Sequence, residues 1–206
     1  MKRHRKPQRS PPTEPLPANR NPWLWGAVLV VLVAIVYWPT LGNGFIWDDD
    51  SYVENNPTLT SWQGLYDIWF KLGAVPQYYP LVHSSYWLEH RLWGVDPRGY
   101  HLVNMLLHAT TAVLAWRVLV RLAMPGAWLA AAIFAVHPVQ VESVAWVTER
   151  KNVLSAALAL GSILAYLKFW FAASDSATEP LASGKRRDYA LALGLYVAAL
   201  LAKTVT

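Results

Sequence analysis

Long apolar runs dominate the chain, most of them of membrane-crossing length. Trp23 to Leu41 offers about 19 almost uniformly apolar residues, enough at roughly 1.5 Å per helical residue to cross a hydrocarbon core. Asp96-Pro97 then supplies an N-cap followed by proline at the first helical position, and the helix it starts should carry a second span over about 100–122. A third run, about 126–147, is interrupted by His137-Pro138, so a span kinked or broken there is expected, with its freed backbone groups facing protein or water. Further runs over about 153–171 and 189–206 give a fourth and a fifth span. The pattern therefore predicts an all-α polytopic membrane protein of about five transmembrane helices.

The stretch 42–97 differs, because its apolar residues come at helical spacing instead of in an unbroken run. Trp62, Leu65, Tyr66, Trp69, Phe70 and Leu72 cluster in this way, as do Leu81, Leu88 and Leu92 before Gly94 stops the pattern. Two short amphipathic helices lying in the headgroup region are expected, and the segment looks too short to build a core of its own.

Composition sharpens this picture. Of the 206 residues 54% are hydrophobic and 15% charged, and mean hydropathy is +0.21, more apolar than a soluble domain of this size. Twelve Trp and ten Tyr suit a protein with many water–lipid boundaries, and the absence of cysteine excludes disulfides and thiolate metal sites. The net charge of +5 is concentrated in the first residues, Lys2-Arg3-His4-Arg5-Lys6, so no nucleic-acid partner is expected. Residues 1–22 read as a disordered, basic and proline-rich cytoplasmic tail, with 23–206 as the membrane part. A signal peptide fits less well than an uncleaved span, since the first run is long and lacks a small-residue cleavage site. With the tail inside, loop 42–97 emerges on the outer face, and Lys185-Arg186-Arg187 fall inside again. The stop at Lys203-Thr204-Val205-Thr206, directly after an apolar run, leads us to expect a piece of a longer membrane protein.

Candidate chemistry gathers on the outer side. Phe45-Ile46-Trp47-Asp48-Asp49-Asp50 follows the first span, and three adjacent carboxylates beside aromatic residues suit a proton acceptor or an ion ligand. The competing reading is that Asp49 or Asp50 caps a short helix while the others are solvated. Outward Lys71, Arg91, Arg98, Arg150 and Lys151 break the positive-inside rule; Lys71 and Arg91 suit snorkelling to lipid phosphates, whereas Arg150-Lys151 sits in a short turn after a segment carrying His137 and Glu142 at membrane depth. His83 with His90, and His101 with His108, are seven apart and share helix faces, but two nitrogens make no metal site and packing roles are the plainer reading.

Taken together, Phe45-Ile46-Trp47-Asp48-Asp49-Asp50, Asn55-Asn56-Pro57, Tyr79-Pro80-Leu81, Gly99-Tyr100-His101-Leu102-Val103-Asn104, His137-Pro138-Val139-Gln140-Val141-Glu142-Ser143-Val144-Ala145-Trp146-Val147, Glu149-Arg150-Lys151 and Leu201-Ala202-Lys203-Thr204-Val205-Thr206 resemble the N-terminal membrane half of bacterial proteins similar to the TMTC O-mannosyltransferases, the transmembrane and tetratricopeptide-repeat-containing family. The resemblance implies a partial GT-C-like glycosyltransferase fold, a catalytic acid in the first outer loop, a polyprenyl-phosphate sugar as donor and a protein or glycan hydroxyl as acceptor, in the bacterial inner membrane. The family's further spans and tetratricopeptide repeats are not present here, and Asp50 extends its acidic pair. Alignment to its Phe-x-x-Asp-Asp pattern selects Asp48 and Asp49 as catalytic.

On this basis Asp48 is expected to take the proton of an attacking hydroxyl, and Asp49 to position the acceptor or hold a divalent cation. Arg150, Lys151 and Lys203 are expected to bind the donor phosphate, with His137, Glu142 and Asp50 around them. The piece alone is expected to be inactive. Two alternatives from other classes are a non-catalytic membrane anchor or scaffold for a missing repeat domain, and a transporter of lipid-linked sugars with His137 and Glu142 along its path.

Overall fold

The computed structural model describes residues 21–174 and 183–204. Among the described residues every regular element is helical: α1 (Pro22–Tyr37), α2 (Trp62–Phe70), α3 (Pro80–Trp93), α4 (Pro97–Arg121), α5 (Ala127–Val136), α6 (Val141–Ala145), α7 (Arg150–Ser174) and α8 (Ser183–Ala202), joined by short tight turns. The basic, proline-rich tail over residues 1–20 and most of the polar stretch after Ser174 lie outside the described residues.

Among the described residues three helices are long and apolar enough to cross a membrane, Pro22–Gly42, Pro97–Arg121 and Val147–Phe171, and α8, where a fifth span was expected, is not one of them. A fourth crossing is completed if α5 and the segment Pro138–Ala145 count as one span bent by 52°. The bend falls at Pro138, which cannot donate to the carbonyl a turn back, and His137 leaves the helix with an extended backbone. α8 starts earlier than its apolar run suggested. Lys185, Arg186, Arg187 and Asp188 lie inside its first turns, so the basic cluster is helical and not part of a loop.

α1 packs against α4 through Leu29 and Val33, both fully buried, and Tyr37 meets His108 edge to face with ring centroids 5.3 Å apart. α7 and α8 run antiparallel. Lys168 pairs with Asp188 at 3.0 Å, and Ser162 Oγ donates to the Ala192 carbonyl at 2.7 Å. A polar row on α4, namely His101, Asn104, His108 and Thr111, is buried within the bundle. His108 meets the Ala135 carbonyl at 3.0 Å, Thr111 donates to its own turn at the Leu107 carbonyl at 2.8 Å and Asn104 bonds the Trp146 carbonyl, whereas the buried His101 ring has no hydrogen-bond partner among the described residues.

The loop between α1 and α4 departs from expectation. It builds a packed cap in which Tyr52, Val53, Leu59, Ile68, Val82, Tyr86 and Trp87 share one core with Tyr100 of α4, Val147 and Ala202 at the end of α8. Large aromatic side chains supply the area that a short segment otherwise lacks, and the ends of the bundle form the floor. Gly64 is required there, because a Cβ would lie 2.0 Å from the Thr58 carbonyl oxygen. α2 keeps Trp62, Tyr66 and Phe70 on its exposed face and α3 exposes Leu88 and Leu92, whereas Leu65, Trp69 and Leu81 of the same apolar sets turn inward against the cap core.

Candidate functional site

The hexapeptide after α1 folds into a tight turn. Asp49 N–H donates to the Ile46 carbonyl at 3.0 Å, and Tyr52 N–H to the Asp48 carbonyl at 3.0 Å. Trp47 takes φ +48°, a left-handed conformation that costs about 1–2 kcal/mol for a residue with a Cβ. Its ring is held edge to face against Trp146, 5.0 Å away, and Phe45 meets Tyr100 at 5.6 Å. The chain is thus fixed on both sides of its acids by aromatic contacts to the helical bundle.

The three carboxylates have three different fates. Asp49 is fully buried. Its Oδ2 accepts the Ile46 N–H at 3.0 Å, and its Oδ1 accepts both the Thr148 N–H, at 2.8 Å, and the Thr148 hydroxyl. This carboxylate rivets the acidic turn to the polar turn preceding α7. Asp50 is exposed and takes a hydrogen bond from the Asn55 amide. Asp48 is also exposed, and among the described residues its carboxylate accepts no hydrogen bond from the protein. Neither Asp49 nor Asp50 makes the helix-capping hydrogen bond that the competing reading required.

Beneath Asp48 lies Tyr52, stacked on His83 with ring centroids 5.1 Å apart. Burial pushes the Tyr52 phenol up to about 12, and the neighbouring Asp48, Tyr79 and Glu149 push in the same direction. The same influences show that Asp48 and Glu149, from separate segments, converge on one ring. Lys151 sits over that ring too, its Nζ 5.9 Å from the centroid and equally 5.9 Å from that of Trp146.

The polar turn and α7 bring four more groups together. Lys151 Nζ pairs with Glu149 Oε1 at 2.7 Å, and Glu149 Oε2 accepts from the Asn152 amide. Asn152 also donates to Ser143 Oγ at 3.1 Å, and its oxygen accepts from Lys203 Nζ. Lys203, far along the chain, arrives because antiparallel packing returns the end of α8 to the start of α7. The acidic turn, riveted to Thr148, and the two lysines thus lie at one end of the bundle.

Arg150 has a different setting. Its side chain is fully buried, and its guanidinium donates to Asn104 Oδ1 at 2.8 Å, Ser85 Oγ at 3.2 Å, the Tyr100 carbonyl at 2.9 Å and Glu89, with the Tyr86 ring 4.8 Å away. Burial pushes the Glu89 carboxyl up, against the pull of the guanidinium. The knot is closed by Tyr86 and Asn104, which donate to the Val147 and Trp146 carbonyls at 2.8 and 3.0 Å. With its donors engaged inside the protein, Arg150 joins α3, α4 and α7 and is not presented to a ligand. His137 and Glu142 are exposed; the His137 ring accepts the Val139 N–H at 3.2 Å and so caps the turn after α5.

Sequence reasoning passed over Glu149, Asn152 and Tyr52 as functional groups, although the first two belong to the one polar turn between apolar runs. Among the described residues no group of three or more His, Asp or Glu is arranged to hold a metal ion, and the oxygens of Asp49 are directed at protein donors. What the arrangement offers is an exposed carboxylate and a lysine that both act on the Tyr52 ring, with a second lysine joined to the same turn through Asn152.

Among curated proteins, the chain is 34% identical over 145 residues to Protein O-mannosyl-transferase tmtc2 of Xenopus laevis, covering 65% of this chain and 17% of that protein. It is 33% identical over 179 residues to Protein O-mannosyl-transferase TMTC4 of Homo sapiens, covering 74% and 24%, and 32% identical over 153 residues to TMTC3 of Mus musculus, covering 68% and 16%. The chain spans less than a quarter of the length of these relatives. No protein-family model matches it. No solved structure matches it either. All three relatives carry the name Protein O-mannosyl-transferase.

Proposed function

We propose that this chain supplies the catalytic acid and the phosphate-binding cations of a membrane glycosyltransferase, which moves a sugar from a polyprenyl-phosphate donor to a Ser or Thr hydroxyl of a protein. Mannose is the sugar proposed, because the relatives are named O-mannosyl-transferases. With the basic tail on the cytoplasmic side, the site faces the outer side of the membrane.

The carrying observation is the Asp49–Thr148 rivet, which holds the accessible Asp48 beside the turn that bears Lys151. In the proposed reaction Asp48 takes the hydroxyl proton as the acceptor oxygen attacks the anomeric carbon. The bond from that carbon to the phosphate oxygen breaks, and the electron pair leaves with the phosphate. Configuration inverts. Phosphate departs readily, so the leaving side needs positive charge more than it needs an acid, and Lys151 and Lys203 provide it. Asp49 positions the loop, and Arg150 positions the start of α7 on which Lys151 stands.

The test is Asp48→Asn in the full-length protein, with transfer from a radiolabelled polyprenyl-phosphate sugar as the readout. Transfer should fall by at least about a hundredfold while membrane insertion and thermal unfolding hold. Wild-type transfer by that variant would overturn the assignment.

A further inference from the structure

Between the two lysines assigned to the leaving phosphate lies a carboxylate that the reaction scheme does not use. Glu149 ends the tight turn before α7, and its two oxygens serve different partners: Oε1 is 2.7 Å from Lys151 Nζ, and Oε2 takes the Asn152 amide. Through the same Asn152 side chain the network reaches Lys203. The side chains of Lys151 and Glu149 are 13% and 12% exposed, so the pair is largely shielded from bulk water.

A carboxylate offers these cations what a phosphate would offer them, namely negative oxygen acceptors within reach of charged donors. Glu149 also compensates the repulsion of two lysines brought together at one end of the bundle. Its setting contrasts with that of Glu89, which faces a guanidinium bonded on every side. Glu149 meets one cation and one amide, and a carboxylate has acceptor capacity beyond those two bonds. From this geometry we infer that Glu149 is an internal anion that competes with the donor's phosphate for Lys151, and that it is tied to Lys203 only through the Asn152 side chain. It loosens the grip on substrate and on the polyprenyl-phosphate product alike, and so speeds product departure. The inference rests on the proposed role of those two lysines.

The competition has a sign that simple positioning lacks. If Glu149 merely oriented Lys151, its removal would weaken phosphate binding; if it competes, its removal tightens binding. The experiment uses the full-length protein in detergent with a short-chain polyprenyl phosphate as probe, binding being followed by calorimetry. In Glu149→Gln the Kd of the probe should fall about five- to tenfold, and the donor KM should fall by a similar factor while kcat does not rise. Should that variant fail to fold, Glu149→Asp withdraws the carboxylate from Lys151 by one methylene and should tighten binding in the same direction by a smaller factor. Unchanged or weaker binding in the folded variant overturns the inference. Lys151→Gln separates the two readings. If it binds the probe as the wild type does, the phosphate site itself is refuted; if it weakens binding while Glu149→Gln does not tighten it, only the competition fails.

Discussion

Arg150 and Lys151 are consecutive residues of one helical turn, yet they belong to opposite kinds of environment. Arg150 points into a dry knot where Glu89, Ser85, Asn104 and the Tyr100 carbonyl consume its donors. Lys151 points to the rim, where a single direct carboxylate and two aromatic faces hold it. The planar fork of arginine suits several fixed acceptors at once, whereas a lysine on a flexible stem can exchange one anion for another. Adjacent cations therefore divide the labour. The first fixes the start of α7, and the second, paired with Glu149 at the rim, is the one proposed to serve chemistry.

The largest effect expected from breaking this contrast is on stability. Arg150→Met should destabilise the protein by about 3–5 kcal/mol, because Glu89 would be left buried and unpaired. Arg150→Met combined with Glu89→Gln should recover part of that loss in thermal unfolding, and equal destabilisation in single and double variants would show that the pair is not the cause. Next comes a pH dependence in the same cap. Burial pushes His83 down to about 4 from its ordinary 6.5, so the unfolded chain takes up a proton that the folded protein refuses. Stability from this residue is complete above pH 6.5 and is lost as pH falls from 6.5 to about 4, by about 3 kcal/mol across the window. Denaturant unfolding from pH 7 to 4.5 should show this slope, and His83→Phe should flatten it.

A smaller loss is expected at the rivet. Asp49→Ala removes the acceptor of the Thr148 N–H and hydroxyl and should cost about 1–3 kcal/mol. Hydrogen exchange at the Thr148 amide should accelerate in that variant, and unchanged protection would show that the acidic turn is held by its aromatic contacts alone.

Much of this was legible along the chain. The first span, the Asp96-Pro97 helix start and the break at Pro138 all follow from local chemistry: apolar length, a capping side chain and a missing N–H. That the acidic turn meets the turn before α7 was suggested by the chain, since each directly borders an apolar run. The fates of neighbouring residues were not. Nothing local tells Asp48 from Asp49 or Arg150 from Lys151, because their exposure is decided by Thr148, Glu89 and Asn104, which arrive from distant segments. The packed cap was missed for the same reason: its core borrows Tyr100, Val147 and Ala202 from three other parts of the chain. The spacing of Asn104 with His101, His108 and Thr111 on one face of α4 was a signal that could have marked a buried polar row.

The division between the two cations is tested most directly by Lys151→Gln in the full-length protein, with donor kinetics and thermal unfolding measured on the same preparation. A donor KM raised at least about tenfold at an unchanged melting temperature is predicted. A wild-type KM, or a collapse of stability like that expected for Arg150, would contradict it.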